Sequence, residues 1–349
     1  MFIAYLYRQD SMPFYPRRKP YRSGFFPVTD SHELYFALYG NPRGIPVLFV
    51  HGGPGAGCGK NAHRFFDPKK FNILALDQRG AGKSRPFAEI RGNTTQKLVK
   101  DIQRFLRFLG IKKCFLFGGS WGSTLSLCYC IQHPGTVAGM LLRGIYLGTR
   151  AENDYLVKGG PATHFPDVWD RFCRQVPLQY RSNPAVYYWK KMMSPNKKTA
   201  YHYCREWSLY ESSMLNLDYN SASVLKNTKG SRVIALSRLE ASYILNDCFL
   251  PPQYIIKNVI KKASQMRKIP ATILHGRYDF VCPPSTAYAL HKAMPHARFS
   301  FVTSGHSGYD PALREALISS FKQLTRKARL SSVKGFYIHP PQPINLPQR

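Results

Sequence analysis

The segment Gly118-Gly119-Ser120-Trp121-Gly122 limits the possible folds of this chain more than any other. It follows an apolar run of strand type at 114–118 and precedes a run of helical type at 122–133. A serine on a sharp turn between a strand and a helix stands above the end of a parallel sheet, and the glycines around it remove side-chain clashes. The segment therefore predicts an α/β architecture with Ser120 as a candidate nucleophile.

Runs of strand and helix type alternate on both sides of this segment, as in a mostly parallel sheet with helices on both faces. The alternation is interrupted by a long stretch of helical pieces rich in Tyr, Trp, Ser and Asn, which we interpret as a helical cap. The predicted divisions are an N-terminal arm at 1–30, a core at 31–145 and 265–328, the cap at 146–264 and a loose C-terminal tail at 329–349.

Two further residues complete a catalytic triad in the order that this architecture requires, which is serine, then acid, then histidine. Asp279 follows the strand-like run at 271–276, and His306 follows the run at 297–302. Open α/β sheets carry their sites at the C-terminal ends of strands. Either residue alone could be a loop carboxylate or a surface histidine. Both together, in this order, predict that His306 accepts the Ser120 proton and that Asp279 orients the imidazole.

A glycine loop, His51–Gly55, follows the apolar run at 45–50. In this position its backbone can supply one donor of an oxyanion hole, and the residue after the nucleophile supplies the other. We therefore expect the N–H groups of Gly53 and Trp121 to bind the oxyanion. The alternative is a simple Gly/Pro turn. Asp77, at the start of DQRG, comes too early in the chain for the triad, and we assign it a structural role.

The order and spacing of several motifs resemble the proline iminopeptidase family of α/β-hydrolases. These motifs are HGGPGAG, DQRGAGKSRP, NTT, FGGSWGSTLSL and LRGIYL, followed by GRYD and SGHS. The resemblance implies the α/β-hydrolase fold with a helical cap. It also implies a serine exopeptidase that releases N-terminal proline, or a small residue, from peptides without a metal or organic cofactor.

The resemblance also implies three substrate-binding residues. Acidic residues of the family's cap bind the free N-terminal amine, and they map to Glu211 in EWSLYE and to Glu240 in SRLEASY. Tyr146 matches an aromatic position of the proline pocket. Ile244 stands where the family usually has an aromatic residue, so the preference for proline could be relaxed. The alternative interpretation of Glu211 and Glu240 is that both are solvated residues on helix faces.

The net charge of +31 suggests a second class of function, binding to nucleic acid or to an anionic membrane. The basic residues are spread along the chain, however, and no nucleic-acid-binding motif accompanies them. We therefore interpret the charge as a basic surface and expect no specific nucleic-acid or membrane partner. No run of about 20 apolar residues is present. The eight cysteines form no C-x-x-C pair, which argues against a structural zinc site or a thioredoxin-like motif. Their low density in a large chain favours reduced thiols in the cytoplasm over disulfides in a secreted protein.

Two other functions remain open at this point. An esterase or amide hydrolase would use the same triad, and the fold alone cannot exclude it. A non-catalytic interaction protein could keep the fold, but it would not need the serine, acid, histidine and glycine loop together. The oligomeric state is not indicated by the sequence.

Overall fold

A computed structural model describes residues 13–326 and 335–338 of the chain. Eight strands form one sheet across this part of the protein. Their bounds are β1 (Arg22–Pro27), β2 (Glu33–Gly40), β3 (Ile45–Val50), β4 (Phe71–Leu76), β5 (Cys114–Ser120), β6 (Val137–Ile145), β7 (Ala271–Gly276) and β8 (Arg298–Val302).

The strand order is β1-β2-β4-β3-β5-β6-β7-β8, and only β2 runs antiparallel to its neighbours. The strands from β4 to β8 are all parallel to one another. The loops after β3, β5, β7 and β8 therefore leave the sheet at the same edge. These four loops carry the glycine loop, Ser120, Asp279 and His306.

Twelve helices accompany the sheet in the described residues. Their bounds are α1 (Thr95–Phe108), α2 (Trp121–Gln132), α3 (Arg150–Val157), α4 (Pro166–Arg174), α5 (Pro184–Met192), α6 (Lys197–Ser212), α7 (Ser221–Asn227), α8 (Arg232–Leu245), α9 (Tyr254–Lys261), α10 (Ala263–Met266), α11 (Pro284–Ala293) and α12 (Pro311–Leu324). None of these helices is long and apolar enough to cross a membrane.

Helices cover both faces of the sheet. Phe105 of α1 contacts Phe36 of β2. The register of the strands places Phe36 on the same face of the sheet as Leu116 of β5. Phe321 of α12 contacts Phe117, the next residue along β5, whose side chain points to the opposite face. The predicted mostly parallel sheet with helices on both faces is confirmed.

The interruption between β6 and β7 contains helices and no strand, as the sequence indicated. Helices α3, α4, α5, α6 and α8 pack around a second, aromatic cluster, in which Phe172, Tyr188 and Trp207 are buried. Helix α9 differs, because its buried Ile255 and Val259 pack into the main core under the sheet. The cap was predicted over 146–264, but its last part, from α9 onward, packs with the core.

Two terminal segments are more ordered than the sequence indicated. Strand β1 lies inside the predicted N-terminal arm and forms the edge of the sheet. In the predicted loose tail, Tyr337 is buried, and its hydroxyl donates to the Gly44 carbonyl at 2.9 Å. The first 12 residues of the arm and the tail residues 329–334 and 339–349 lie outside the described residues.

A buried ion pair joins the N-terminal segment, the turn after β4 and helix α1. The Arg79 guanidinium donates to both carboxylate oxygens of Asp101, at 2.6 and 2.9 Å, and also contacts Asp30 at 2.8 Å. Arg79 and Asp101 are almost completely buried. Removing one partner of such a pair leaves a charge without compensation in the interior.

The first prediction concerns this pair. Asp101→Asn should lower the free energy of unfolding by about 3 kcal/mol, because Arg79 keeps its charge and loses its bidentate partner. Urea denaturation followed by circular dichroism measures the loss. Asp170→Asn, which removes an exposed helix pair with Arg174 at 2.6 Å, is the control and should cost less than about 0.5 kcal/mol. Equal losses in the two variants would contradict the prediction.

Candidate active site

Ser120 ends β5 and precedes the first residue of α2, and its backbone has φ 57° and ψ −130°. This positive φ is costly for a residue with a side chain, and it marks the turn as constrained. The flanking glycines make the turn possible by allowing close approach of backbone. A methyl group on Gly118 would lie 2.3 Å from the Gly122 carbonyl oxygen, and one on Gly122 would lie 2.0 Å from the Val50 carbonyl oxygen.

Asp279 and His306 are brought together from the loops after β7 and β8. Oδ2 of Asp279 lies 2.7 Å from Nδ1 of His306. The other oxygen, Oδ1, accepts from the backbone N–H groups of Val281 and Cys282 at 3.1 and 2.8 Å. Burial acts to raise the pKa of Asp279, but the charge and hydrogen bond of His306 outweigh it and hold the pKa below its usual value. Asp279 is thus an ionised acceptor for the imidazole.

His275, the penultimate residue of β7, supports this loop and was not singled out from the sequence. Its Nδ1 accepts from the Ile145 N–H at 2.9 Å, so the ring proton is on Nε2, which donates to the Cys282 carbonyl at 2.9 Å. Burial lowers the pKa of His275 and keeps it neutral. The ring therefore joins the end of β6 to the turn that holds Asp279.

The glycine loop lies beside the turn at Ser120. A methyl group on Gly52 would lie 3.2 Å from Cβ of Ser120, and Gly53 borders the same cavity as the serine. His51 anchors the loop, because its Nε2 accepts from the Gln78 N–H and its carbonyl accepts from the Gln78 side chain, both at 2.9 Å. Trp121 Nε1 donates to the Gln78 amide oxygen at 2.9 Å. Gln78 thus ties together the two elements that carry the expected oxyanion donors.

Asp77 has the structural role that the sequence suggested. Its two carboxylate oxygens accept from the backbone N–H groups of Cys58 and Lys83, at 2.7 and 2.9 Å. These bonds fasten the end of the glycine-rich segment to the turn that follows β4.

Glu211 on α6 and Glu240 on α8 meet in the cavity that also contains Ser120 and Gly53. Both glutamates are buried, and their carboxyl groups are close enough to act on each other electrostatically. Nε1 of Trp207 donates to Oε2 of Glu240 at 2.7 Å. Trp207 therefore both packs in the cap cluster and orients one of the two carboxyls.

The pair is electrostatically unusual because neither carboxyl has a cationic hydrogen-bond partner among the described side chains. Burial raises the pKa of Glu211, against the charges of nearby His306 and Arg232. Burial and the adjacent Glu211 raise the pKa of Glu240 well above its usual value. Two buried carboxyls this close disfavour the state in which both are ionised. A cation bound between them would relieve this cost.

The remaining cavity wall is largely apolar. Tyr146 and Ile244 both border it, and the Tyr146 hydroxyl donates to the Asn153 side-chain oxygen. Further lining residues that the sequence did not indicate are Glu152, Asn153, Leu156, Tyr243, Val281 and Cys282. Tyr243 ends the quoted segment SRLEASY, so its position next to Glu240 could have pointed to it. The other five lie in cap helices and loop turns outside the quoted motifs.

Glu152 adds a third carboxyl to the wall, but its oxygens are already occupied. It accepts from the backbone N–H groups of Leu147 and Thr149 at 2.9 and 3.0 Å, and from the Thr149 hydroxyl at 2.7 Å. It therefore caps α3 and is not available to a ligand. In the described part of the chain, no group of three or more His, Cys, Asp or Glu side chains is arranged to hold a metal ion.

The amino-acid sequence of this chain is similar to those of several known proteins. A family model described as alpha/beta hydrolase fold matches residues 45–312. A probable proline iminopeptidase of Leptolyngbya boryana is 38% identical over 307 residues, covering 88% of this chain and 95% of the relative. The proline iminopeptidase of Arabidopsis thaliana is 40% identical over 303 residues, covering 86% of this chain and 79% of the relative.

Solved structures with much lower identity share the fold. An esterase from Exiguobacterium antarcticum superposes with a TM-score of 0.60 at 17% identity, covering 88% of this chain and all of the esterase. An esterase from Rhodococcus sp. ECU1013 gives a TM-score of 0.56 at 18% identity, covering 89% of this chain and 99% of the esterase. At this distance the likeness shows the fold and not the reaction.

The second prediction follows from the raised pKa of Glu240. A folded-state pKa above the unfolded value of about 4.3 makes the folded protein bind the extra proton, so stability is lost as pH rises above that value. Glu240→Gln removes the cost of a buried charge and keeps an acceptor for Trp207. It should therefore raise the free energy of unfolding at pH 7.5 by at least about 1 kcal/mol, and by much less at pH 4.5.

Urea denaturation at the two pH values measures this difference. Glu33→Gln, at an exposed position of β2, is the matched control and should change stability little at either pH. A Glu240→Gln variant that is destabilised at pH 7.5 would contradict the interpretation that the carboxyl pair is strained when it is empty.

Proposed function

We propose a function that proceeds from one premise: the chain belongs to the proline iminopeptidase family of α/β-hydrolases. It is a serine exopeptidase that releases an N-terminal proline from peptides. The observation that carries the proposal is the buried pair Glu211–Glu240 in the same cavity as Ser120. An esterase needs the serine but has no use for two desolvated carboxyls next to it.

The proposed reaction begins with attack of the Ser120 Oγ on the carbonyl carbon of the N-terminal residue. Nε2 of His306 accepts the serine proton, since Nδ1 faces Asp279. The N–H groups of Gly53 and Trp121 stabilise the oxyanion, with the N-terminus of α2 behind them. His306 then protonates the leaving amine, which departs as the shortened peptide.

Deacylation repeats these roles with water. His306 removes a proton from the water as it attacks the prolyl ester, and the Ser120 oxygen recovers its proton when the tetrahedral intermediate collapses. Free proline leaves, and the enzyme returns to its initial state. Each step uses only side chains and backbone groups of this chain.

Glu211 and Glu240 determine where the substrate begins. A protonated secondary amine of proline carries two N–H groups, and it can bind two carboxylates when they release the proton that they share. Both carboxyls are buried on cap helices, so a residue preceding the one whose amine is bound would have to displace them. The enzyme is therefore limited to one residue at a time.

The pocket walls support proline as the preferred first residue, with some tolerance. Tyr146 gives one aromatic wall, while Ile244 gives an aliphatic one. Tyr243 is a second aromatic residue of the wall, but at Ile244 an aliphatic side chain replaces a ring, so small aliphatic residues such as alanine also fit the chemistry of the pocket. Substrates are peptides with a free N-terminus.

Location and partners form part of the same proposal. All eight cysteines are unpaired and seven of them are buried, which supports a reducing compartment and hence the cytoplasm. The basic charge is interpreted as a general property of the surface, with no specific nucleic-acid or membrane partner.

The third prediction tests the carboxyl pair. The enzyme should hydrolyse prolyl p-nitroanilide and reject acetyl-prolyl p-nitroanilide, because the acetylated substrate has no charge and leaves two desolvated carboxyls unpaired. The unsatisfied groups cost about 1–3 kcal/mol each, so kcat/KM should differ by about a hundredfold or more. Glu211→Gln and Glu240→Gln should lose most of the anilide activity while hydrolysis of p-nitrophenyl acetate, which needs only the triad, falls much less.

Ser120→Ala is the reference for background and should lose both activities by several orders of magnitude while it remains folded. If free and acetylated substrates were hydrolysed equally, the exopeptidase would be ruled out in favour of a general esterase or amide hydrolase.

A further inference from the structure

Arg232, the first residue of α8, has an exposed side chain, and it is not one of the residues that line the cavity with Ser120. Among the described residues no hydrogen bond or ion pair engages its guanidinium. Other arginines around the site are occupied: Arg143 donates to the His306 carbonyl at 2.9 Å, and Arg238 donates to the Met192 carbonyl at 2.8 Å. Arg232 is thus a positive charge near the site that is free to bind a ligand.

The position of Arg232 on α8 relates it directly to the amine site. Residues 232, 236 and 240 follow one another at intervals of four and share one face of the helix. Glu240 belongs to the carboxyl pair. Leu236 lies against the glycine loop, since a methyl group on Gly53 would be 3.1 Å from its Cδ1. The helix therefore runs from the amine site, past the loop beside Ser120, to Arg232.

Three groups on other elements feel the charge of Arg232. Burial raises the pKa of Glu211 on α6, and Arg232 acts against this rise. Burial also raises the pKa of Tyr309, in the loop after His306, again with Arg232 opposing it. Burial lowers the pKa of His51 in the glycine loop, and Arg232 adds to this lowering. Arg232 is therefore close enough to groups of both the cap and the core to act on them electrostatically.

We propose that Arg232 binds the C-terminal carboxylate of short peptide substrates, two or three residues long. The inference rests on the proposed function and adds a preference for length. With a rise of 1.5 Å per residue, Arg232 and Glu240 are separated by about 12 Å along the helix axis. An extended peptide spans at most about 3.3–3.6 Å per residue, so a tripeptide covers about 10 Å. The flexible arginine side chain bridges the remaining distance.

The charges of the site match those of a short peptide. Its amine is cationic and its terminal carboxylate is anionic, while the site presents two carboxyls at one end of the α8 face and a guanidinium at the other. An arginine fork binds a carboxylate in a bidentate manner. In a longer peptide the carboxylate lies beyond Arg232, and a neutral peptide bond takes its place.

The fourth prediction compares Pro-Ala-Ala with Pro-Ala-Ala-amide, which differ only in the C-terminal charge. The wild-type enzyme should cleave the free acid with about fivefold higher kcat/KM, a gain suited to a partly exposed charge pair. Release of proline is measured chromatographically. Arg232→Gln should reduce the ratio of acid to amide to about one, and Arg232→Lys should retain part of it. A hexapeptide pair should give a ratio near one already in the wild type.

Lys198→Gln removes one exposed positive charge from the cap at the start of α6 and is the matched control, in which the ratio should stay at the wild-type value. Equal cleavage of acid and amide by the wild type would overturn the inference while leaving the exopeptidase in place. A preference that persists in Arg232→Gln would overturn the role of this arginine. If neither tripeptide releases proline, it is the proposed function that fails.

Discussion

Two carboxyl groups buried side by side, Glu211 and Glu240, are the constraint around which the site is arranged. Each would be stabilised by water, and the fold instead places them in a cavity with one indole N–H as a partner. In the proposed function, the substrate amine removes the resulting cost. Binding energy that is realised only when an ammonium enters the cavity gives selectivity for the chain terminus, which the triad alone cannot provide.

The cap can hold the pair because its own packing is rigid. Helices α6 and α8 are joined by the hydroxyls of Ser208 and Ser237, 3.0 Å apart, and Ser237 also donates to the Cys204 carbonyl at 2.7 Å. Stacked rings, such as Phe172 on Tyr188 at 4.2 Å, fill the space behind them. Below the cap, Gln78 and His275 fix the loops of the core. The proposed catalytic residues thus belong to the core and the two carboxyls to the cap, and all of them except Asp279 and His306 line one cavity.

The sequence predicted those parts of the molecule that follow from local rules. The turn at Ser120 was identifiable because only glycine fits at Gly118 and Gly122, and the positions of Asp279 and His306 followed from the ends of strands. The carboxyl pair was reached only by resemblance, since nothing local distinguishes Glu211 and Glu240 from the other acidic residues of the cap. The positions of Gln78, His275 and Arg232 depend on contacts between distant segments, which periodicity does not reveal. Strand β1 was not predicted, because its strand conformation depends on pairing with β2 and not on its own composition.

The proposed function depends most on one property of Glu211 and Glu240: in the absence of substrate the two carboxyls share a proton, which the substrate amine displaces. The direct measurement is the number of protons released when L-prolinamide binds to Ser120→Ala, obtained by calorimetry at pH 7.5 in buffers of different ionisation enthalpy. The account predicts release of about one proton per site, because the ammonium replaces the shared proton, and no release when Glu240→Gln is added. Binding of prolinamide without proton release in Ser120→Ala would show that the pair is already ionised and would contradict the central claim.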